Sequence, residues 1–438
     1  MKRFLPILVL AILATGCQLQ NQSASPNLMP TRAFTPTYQV SSIYTASPEI
    51  TPTKSNPYLI TQCISVQTTI PKDLTSDAVL IMQNIVDRPQ IKENYGLDLA
   101  TNSLFLISQP WEGIMGGKIS PDGKWIAYKR SYWDNSLEEY THTEIVVAAL
   151  DAKTFELIPR KVVPDNPDWF FLTESEWIND SQLLMGIRDQ LQPSDSSTNT
   201  VLIWNPISNE KQIIRPEFPD IYKASGAINP YWGYGVVLYN PRLTQALYLT
   251  GNGVSSVVYQ LWDIEKQKSI AEYELINNYD IPPRWSPDGS RLALIDGHGD
   301  GEISIIEADG EISQLTHVGD NLKYWEIQNL SWSSDGQYIA FSLWSKLSDS
   351  GKNPDDKIAT LAIADTQTGK VVDTCIPVST EYGAQTMKLF WSPDSSQLVV
   401  KDESVEDYNR LILIDLEQGI AAQIGEFMEP FGWMVPQE

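Results

Sequence analysis

The segment DGHGDGEISIIE, residues 296–307, comes nearest in this sequence to a metal-binding pattern. It has the aspartates, the central glycine and the final Glu307 at the spacing of a calcium-binding loop. His298 stands at a position where a hard cation prefers an oxygen ligand. The flanking residues have strand character, so we interpret the segment as a glycine-rich hairpin turn and predict no metal and no cofactor.

Hydrolytic chemistry has no support in the sequence. The chain contains no Gly-x-Ser-x-Gly segment. No Ser-His-Asp arrangement can be argued from the three histidines, which fall in or beside predicted loops: His142, His298 and His317. Four aspartates recur in similar turns of separate repeat units, so we interpret them as turn residues and not as paired catalytic carboxylates: Asp122, Asp288, Asp335 and Asp394. We therefore predict no catalytic residues.

These turns belong to a repeat that predicts the fold. RWSPDGSRLALI at 284–295 recurs as SWSSDGQYIAFS at 331–342, FWSPDSSQLVVK at 390–401 and KISPDGKWIAYK at 118–129, with weaker copies from residues 176 and 238. Each copy has an apolar anchor, a tight polar turn in which glycine accepts a positive φ, and an apolar strand. A second apolar run follows each copy and closes on an acidic or amide residue: Asp151, Asn205, Asp263, Glu307, Asp365 and Asp415. Four antiparallel strands per unit are typical of a β-propeller blade.

The two ends of the repeat region complement each other. Six anchors are followed by a complete unit: Ile119, Trp177, Tyr239, Trp285, Trp332 and Trp391. A seventh, Trp433, has no strands after it, whereas residues 77–108 offer strands with no anchor before them. We predict an all-β, seven-bladed propeller over 58–438, in which the C-terminal strand joins N-terminal strands and closes the ring. A six- or eight-bladed ring is the alternative.

The four clear copies resemble the PD40, or TolB-like, propeller repeats, which also resemble the propeller domains of prolyl oligopeptidase-type peptidases. The resemblance covers about 77–438 and implies a WD40-like propeller.

The N-terminal segments predict where in the cell the protein is located. Residues 1–16 have Lys2 and Arg3 before an apolar run, which is typical of a secretory signal peptide. Small residues lead into Cys17, which resembles a bacterial lipobox and implies lipidation of that cysteine; plain secretion is the alternative. Residues 17–57 are rich in Ser, Thr, Pro, Asn and Gln, and we predict a disordered stalk. We expect a protein of the bacterial cell envelope, anchored to the outer face of a membrane.

Two further cysteines and the net charge limit the possible chemistry. Cys63 and Cys375 are the remaining cysteines, and a disulfide between them is our hypothesis for an oxidising compartment. The chain has 31 basic and 55 acidic residues, a net charge of −24. Such a surface repels phosphate backbones, so we predict no nucleic-acid partner. We expect a monomer.

The loops between the second and third strands of each blade, and between blades, lie on one face and are long. We predict that this loop face binds a protein, peptide or glycan through five aromatic residues: Trp133, Trp169, Tyr324, Trp325 and Trp344. Packing between blades is the alternative role for any of them. Nearby acidic residues favour a basic or neutral partner: Asp134, Glu138, Glu139, Asp355 and Asp356.

We therefore predict a non-catalytic binding or scaffold protein. The alternative is an envelope enzyme that acts on glycans at the loop face, and a third possibility is the relic of a peptidase propeller.

Overall fold

The structure is a computed structural model. It describes residues 58–72, 74–84, 93–107, 115–134, 139–164, 169–171, 176–189, 201–214, 218–219, 237–252, 256–276, 283–296, 301–320, 322, 325–346, 357–378, 389–405 and 408–438. The predicted signal peptide, Cys17 and the predicted stalk lie outside these residues. In the described part of the chain, no helix is both long and apolar enough to span a bilayer.

The described residues form 31 strands. In chain order they are β1 (Leu59–Thr61), β2 (Val66–Gln67), β3 (Val79–Asn84), β4 (Asn94–Asp98), β5 (Ser103–Leu106), β6 (Met115–Ile119), β7 (Ile126–Asp134), β8 (Glu139–Leu150), β9 (Leu157–Pro164), β10 (Trp169–Phe171), β11 (Glu176–Trp177), β12 (Leu183–Asp189), β13 (Val201–Asn205), β14 (Glu210–Ile214), β15 (Val237–Tyr239), β16 (Gln245–Asn252), β17 (Ser256–Asp263), β18 (Lys268–Ile276), β19 (Arg284–Trp285), β20 (Arg291–Asp296), β21 (Glu302–Glu307), β22 (Ile312–Gln314), β23 (Trp325–Trp332), β24 (Tyr338–Lys346), β25 (Lys357–Asp365), β26 (Val371–Pro377), β27 (Leu389–Trp391), β28 (Gln397–Val405), β29 (Tyr408–Asp415), β30 (Ile420–Glu426) and β31 (Met428–Met434).

Seven separate antiparallel sheets form the blades of a ring, which confirms the predicted seven-bladed propeller. Innermost strand first, they are β6 to β9 (blade 1), β11 to β14 with β10 (blade 2), β15 to β18 (blade 3), β19 to β22 (blade 4), β23 to β26 (blade 5), β27 to β30 (blade 6) and β31-β3-β4-β5 (blade 7). The core consists mainly of apolar clusters between the faces of successive blades.

The ring closes as the two chain ends predict. In blade 7, β31 pairs antiparallel with β3, and Leu80 lies opposite Trp433. Trp433 is only 2% exposed and packs among apolar residues of blades 6 and 7. The innermost strand of this blade therefore comes from the opposite end of the chain to its other three strands.

The last residues continue past this strand and attach to blade 1. The Val435 amide donates to the Gly123 carbonyl (2.9 Å), and the Gln437 amide donates to the Leu150 carbonyl (2.7 Å). The Ala152 amide donates back to Gln437 (2.9 Å). Residues 435–437 form a latch that connects the closing strand β31 to blade 1. The sequence did not predict this attachment.

The segment before blade 7 runs along the outside of the ring as a strap, residues 58–72. Its strand β1 pairs parallel with β26, the outermost strand of blade 5, and β2 pairs parallel with β30 of blade 6. Between these two strands, a disulfide joins Cys63 to Cys375 of β26, with the Cα atoms 4.8 Å apart. The strap therefore covers two outer sheet edges that would otherwise be unpaired.

Several segments predicted as loops are strands. Residues 131–134 and 139–142 continue the β7–β8 ladder, and residues 344–346 and 357 continue the β24–β25 ladder. Backbone hydrogen bonds hold these ladders, so polar residues such as those at 131–134 and 139–142 do not end them.

Candidate ligand-binding site

The four predicted turn aspartates are structural. Asp288 accepts a hydrogen bond from the Ser286 hydroxyl (2.6 Å) and from the Ser290 amide (3.1 Å), while Ser286 Oγ accepts from the Arg291 amide (3.0 Å). Although desolvation opposes the shift, hydrogen bonds from Ser286 and Ser290 lower the pKa of Asp288 to about 2. Gly289 has φ of 68°, as predicted for this turn.

The same serine–aspartate pair recurs in blades 1, 5 and 6, and the serine of each pair is buried: Ser120, Ser333 and Ser392. Sequence reasoning missed these serines, although their fixed place directly after the anchor was a readable signal.

The aromatic anchors connect neighbouring blades through their indole N–H groups. Each described tryptophan anchor donates to the carbonyl of the residue just before the preceding blade's anchor, over 2.9 to 3.2 Å: Trp177 to Lys118, Trp285 to Leu238, Trp332 to Arg284, Trp391 to Ser331 and Trp433 to Phe390. These five bonds fix the innermost strands relative to one another.

Tyr239 breaks this series in blade 3. The equivalent acceptor would be the carbonyl of Glu176, but the Tyr239 hydroxyl is buried and has no hydrogen-bond partner among the described residues. Burial raises the pKa of this hydroxyl. The interface between blades 2 and 3 therefore lacks the indole bond that five other interfaces have.

The innermost strands surround a central cavity of about 420 Å³. Its walls include the anchors, the residues that precede them and the prolines of the turns, such as Pro121, Pro241 and Pro287. A cavity of this size suits a small molecule. Among the described lining residues, the charged ones are Lys118 and Arg284, and both are basic.

The two faces of the ring differ in construction. On the turn face, the connections between first and second strands are tight turns of the kind centred on Asp288. On the loop face, the hairpins between second and third strands rise to different heights. In blade 1, β7 continues from Ile126, opposite the anchor, to Asp134; in blade 4, β20 continues only from Leu292 to Asp296. At about 3.3 Å per residue, the blade 1 hairpin is about 13 Å taller.

Strand register gives the distance, measured along the strands, of three predicted aromatic residues from the level of the anchors. Trp169 pairs with Asp189, six positions along β12 from Leu183, which pairs with the anchor. Trp325 pairs with Ser345, six positions along β24 from Ile339, which pairs with its own anchor. Trp133 lies seven positions along β7 from Ile126. All three therefore lie about 20 Å beyond the anchor level, towards the loop face.

Two of the predicted binding residues are packing residues. Trp344 is 4% exposed within the cluster between blades 5 and 6, so it belongs to the core and its assignment to a binding surface is wrong. Trp325 is half-buried, and its ring lies so close to Gly319 that a Cβ there would be 2.3 Å from the indole. Its Nε1 is buried without a described acceptor. Trp325 therefore holds the 3₁₀ turn Val318–Asp320 against blade 5.

The other predicted binding positions are separated in the fold. Trp133 and Trp169 lie on the neighbouring blades 1 and 2 at nearly the same height, whereas Tyr324 lies outside the described residues. Asp134 pairs in the ladder with Glu139 at the tip of the blade 1 hairpin. Glu138, Asp355 and Asp356 also lie outside the described residues.

The calcium-like segment is a hairpin. Asp296 lies opposite Glu302 at one end of the β20–β21 ladder, and Glu307 lies opposite Arg291 at the other end. The first and last ligands of a calcium loop cannot meet from opposite ends of this two-stranded ladder. The described residues contain no group of three or more His, Cys, Asp and Glu side chains that could hold a metal ion.

The histidines belong to different parts of the ring. His142 lies in β8 of blade 1, His317 follows β22 of blade 4 and packs near Tyr58 (5.0 Å between ring centroids), and His298 lies outside the described residues.

Buried charges that sequence reasoning missed lie near the loop-face end of blade 6. The Asp402 carboxylate is fully buried and pairs with the Arg410 guanidinium from the neighbouring strand. Lys401 pairs with Glu429 of blade 7 over 3.3 Å. Buried ion pairs of this kind contribute little net stability, because the cost of desolvating the charges offsets their attraction.

Several solved structures are similar to this chain at low sequence identity. Similar solved structures include TolB from Acinetobacter baumannii (14% identity, TM-score 0.37, covering 82% of this chain and 66% of that chain, just under two thirds). Others are the β-propeller domain of Cps50 (Swd1) from Myceliophteria thermophila (11% identity, TM-score 0.39, 79% and 95%) and a putative 6-phosphogluconolactonase from Bacteroides fragilis (12% identity, TM-score 0.39, 82% and 98%).

No protein-family model and no curated protein sequence matches the chain.

Proposed function

We propose that this protein is a lipid-anchored binding or scaffold protein of the bacterial cell envelope, which holds a protein, peptide or glycan partner on its loop face. The difference between the two faces carries the proposal. Tight serine–aspartate turns form one face, whereas the other has hairpins of unequal height, and the longest ladder among the described residues belongs to blade 1. A rigid ring that presents uneven projections suits recognition of a partner.

The proposed contact region consists of the neighbouring positions Trp133 and Trp169. Both stand about 20 Å beyond the anchor level on a ring fixed by indole bonds, so binding needs little reorganisation of the backbone. Tryptophan often supplies the anchors of interfaces. Asp134 and Glu139 beside Trp133 favour a basic or neutral partner, and association should weaken as salt rises.

Site-specific photocrosslinking in the source organism tests the contact region. A photoreactive amino acid replaces Trp133 or Trp169, and the matched control replaces Ile207, which is 56% exposed on the turn at the opposite face of blade 2. We expect a discrete crosslinked product from positions 133 and 169 and none from 207. Equal crosslinking from all three positions, or from 207 alone, would overturn the loop-face proposal.

Cell fractionation tests the anchor. Cys17→Ser should remove the lipid and release the protein from the membrane fraction, or leave it held by an uncleaved signal peptide. Mass spectrometry of the mature protein distinguishes these outcomes, and an unchanged mass would exclude lipidation at Cys17.

A further inference from the structure

The outermost strands of the blades differ in how their outer edges are protected. The strap covers the edges of blades 5 and 6, and among the described residues no strand pairs with the outer edges of the other five. Proteins usually protect such edges with charged residues or prolines. Four of the five have charged residues or prolines in or beside the strand: Pro159, Arg160, Lys161 and Pro164 in β9, Glu210 and Lys211 in β14, Lys268, Glu272 and Glu274 in β18, and Glu311 beside β22.

Strand β5, the outermost strand of blade 7, has none of these features. Its sequence is Ser-Leu-Phe-Leu, residues 103–106, without a charge or a proline. Leu104 is 51% exposed and Leu106 is 46% exposed. An uncharged, apolar edge of this kind is a template for pairing with an added strand.

The same two leucines direct their backbone groups away from the blade. The Ile107 amide donates to the Asn94 carbonyl of β4 (2.8 Å). Along an antiparallel strand, residues that bond to the neighbouring strand alternate with residues whose N–H and C=O groups point the other way. Because Ile107 and Phe105 direct their groups towards β4, Leu104 and Leu106 direct theirs outward.

Phe105 fixes β5 so that both leucine side chains lie on one face. Its ring packs against Phe155 of blade 1, with 4.6 Å between centroids, and covers Gly96, where a Cβ would lie 2.3 Å from the ring. Side chains alternate along a strand, so Leu104 and Leu106 point to the opposite side, towards blade 6. An added strand would therefore gain outward backbone bonds and two apolar contacts.

We propose that β5 pairs with an extended segment of a partner protein, which adds a fifth strand to blade 7. The strap is the precedent, because it adds a strand to the outer edge of blade 5 and then to that of blade 6, and enters blade 7 before it would reach β5. This surface lies on the rim of the ring, so the proposal goes beyond the loop-face contact.

The net charge and the exposed leucines define the partner segment. It has apolar residues at alternate positions, which match the two leucines on one face of β5. It is neutral or basic, because the chain has a net charge of −24. The same charge opposes pairing between two copies of this chain.

Fluorescence anisotropy with a synthetic peptide tests this edge. The probe has the sequence of residues 58–67 with Cys63→Ser, because this segment already pairs with two outer strands and has Ile60, Ile64 and Val66 on one face. A fluorophore is attached at its N-terminus, and two lysines at its C-terminus make it basic. The full chain is used without reductant, so that its own strap occupies blades 5 and 6. We expect saturable binding with a Kd below about 1 mM.

Hydrogen exchange shows whether the peptide pairs with the backbone of β5, and it needs no variant. We expect the bound peptide to slow the exchange of two amides within residues 103–107, those of Leu104 and Leu106. The Ile107 amide is already bonded to β4 and should not change. Binding without added protection in this segment would overturn the proposal.

Leu104→Lys should weaken peptide binding at least about tenfold, because it places a charge on the edge and removes an apolar contact. The matched control is Ile213→Lys, the same change at a 50% exposed position on β14, which should leave the affinity within about twofold. Equal melting temperatures would show that both variants fold. An equal loss in both variants, or no saturable binding below about 1 mM, would overturn the proposal. A wild-type dimer in sedimentation that Leu104→Lys converts to a monomer would also overturn it, because a second copy would then cover β5.

Discussion

Replacing Trp433 tests whether the C-terminal strand closes the ring. Its side chain is 2% exposed, and a buried tryptophan removes about 150–250 Å² from water. At about 25 cal/mol per Å², this burial contributes at most about 4–6 kcal/mol. We expect Trp433→Ala to lower the free energy of unfolding by about 3–5 kcal/mol, the usual cost of emptying such a site.

Trp433→Phe separates the indole bond from the burial of the ring. It keeps an aromatic ring but leaves the part-buried Phe390 carbonyl without its indole donor, which costs about 0.5–1.5 kcal/mol, the usual net contribution of a hydrogen bond. We therefore expect the order wild type, Trp433→Phe, Trp433→Ala in decreasing stability.

Urea unfolding followed by far-ultraviolet circular dichroism measures both variants without depending on tryptophan emission. The control is Ile213→Ala on the outermost strand of blade 2, where the side chain is 50% exposed and the expected change is below about 0.5 kcal/mol. If Trp433→Ala unfolds within about 0.5 kcal/mol of wild type, the reasoning that the tail closes the ring is refuted.

Four further predictions concern the strap, blade 3, the turns and the latch. Cys375→Ala should lower the unfolding free energy by about 2–5 kcal/mol without reductant and leave it equal to wild type with reductant, as thermal melts would show. Tyr239→Trp should raise stability by about 1 kcal/mol in urea unfolding if its indole reaches the Glu176 carbonyl; a lower midpoint would mean that the site is too small. Because the pKa of Asp288 is lowered to about 2 in the fold, its contribution is complete above about pH 4 and is lost as pH falls towards 2. Urea midpoints measured across that range should therefore fall less steeply for Asp288→Asn. Deleting residues 435–438 should cost about 2–4 kcal/mol through lost hydrogen bonds to blade 1, and an unchanged melting temperature would contradict the latch.

Local chemistry explains why the ring could be predicted from the sequence. The turn glycines and the alternating apolar strands mark each blade directly, and Trp433 has a partner only if the chain ends meet. The strap could not be predicted in the same way. Its strands Leu59–Thr61 and Val66–Gln67 are too short to show a pattern, and only the exposed edges of β26 and β30 give them a place.

The candidate site was harder to predict, because whether a side chain in a propeller is buried depends on strand register and not on residue type. Trp344 and Trp133 both stand in polar sequence, yet Trp344 is buried between blades. The acceptors of the indole bonds are main-chain carbonyls in another blade, so no side-chain pattern reveals them.

The pairing of Leu80 with Trp433 also determines how long blade 7 stays incomplete during synthesis of the chain. The two residues are 353 positions apart, and ribosomes add about 5–20 residues per second, so β3 waits about 20–70 s for the strand it pairs with. During that interval, β3 can pair with β4, but its inner edge has no strand beside it. A nascent chain of this protein thus exposes that edge until β31 has been made.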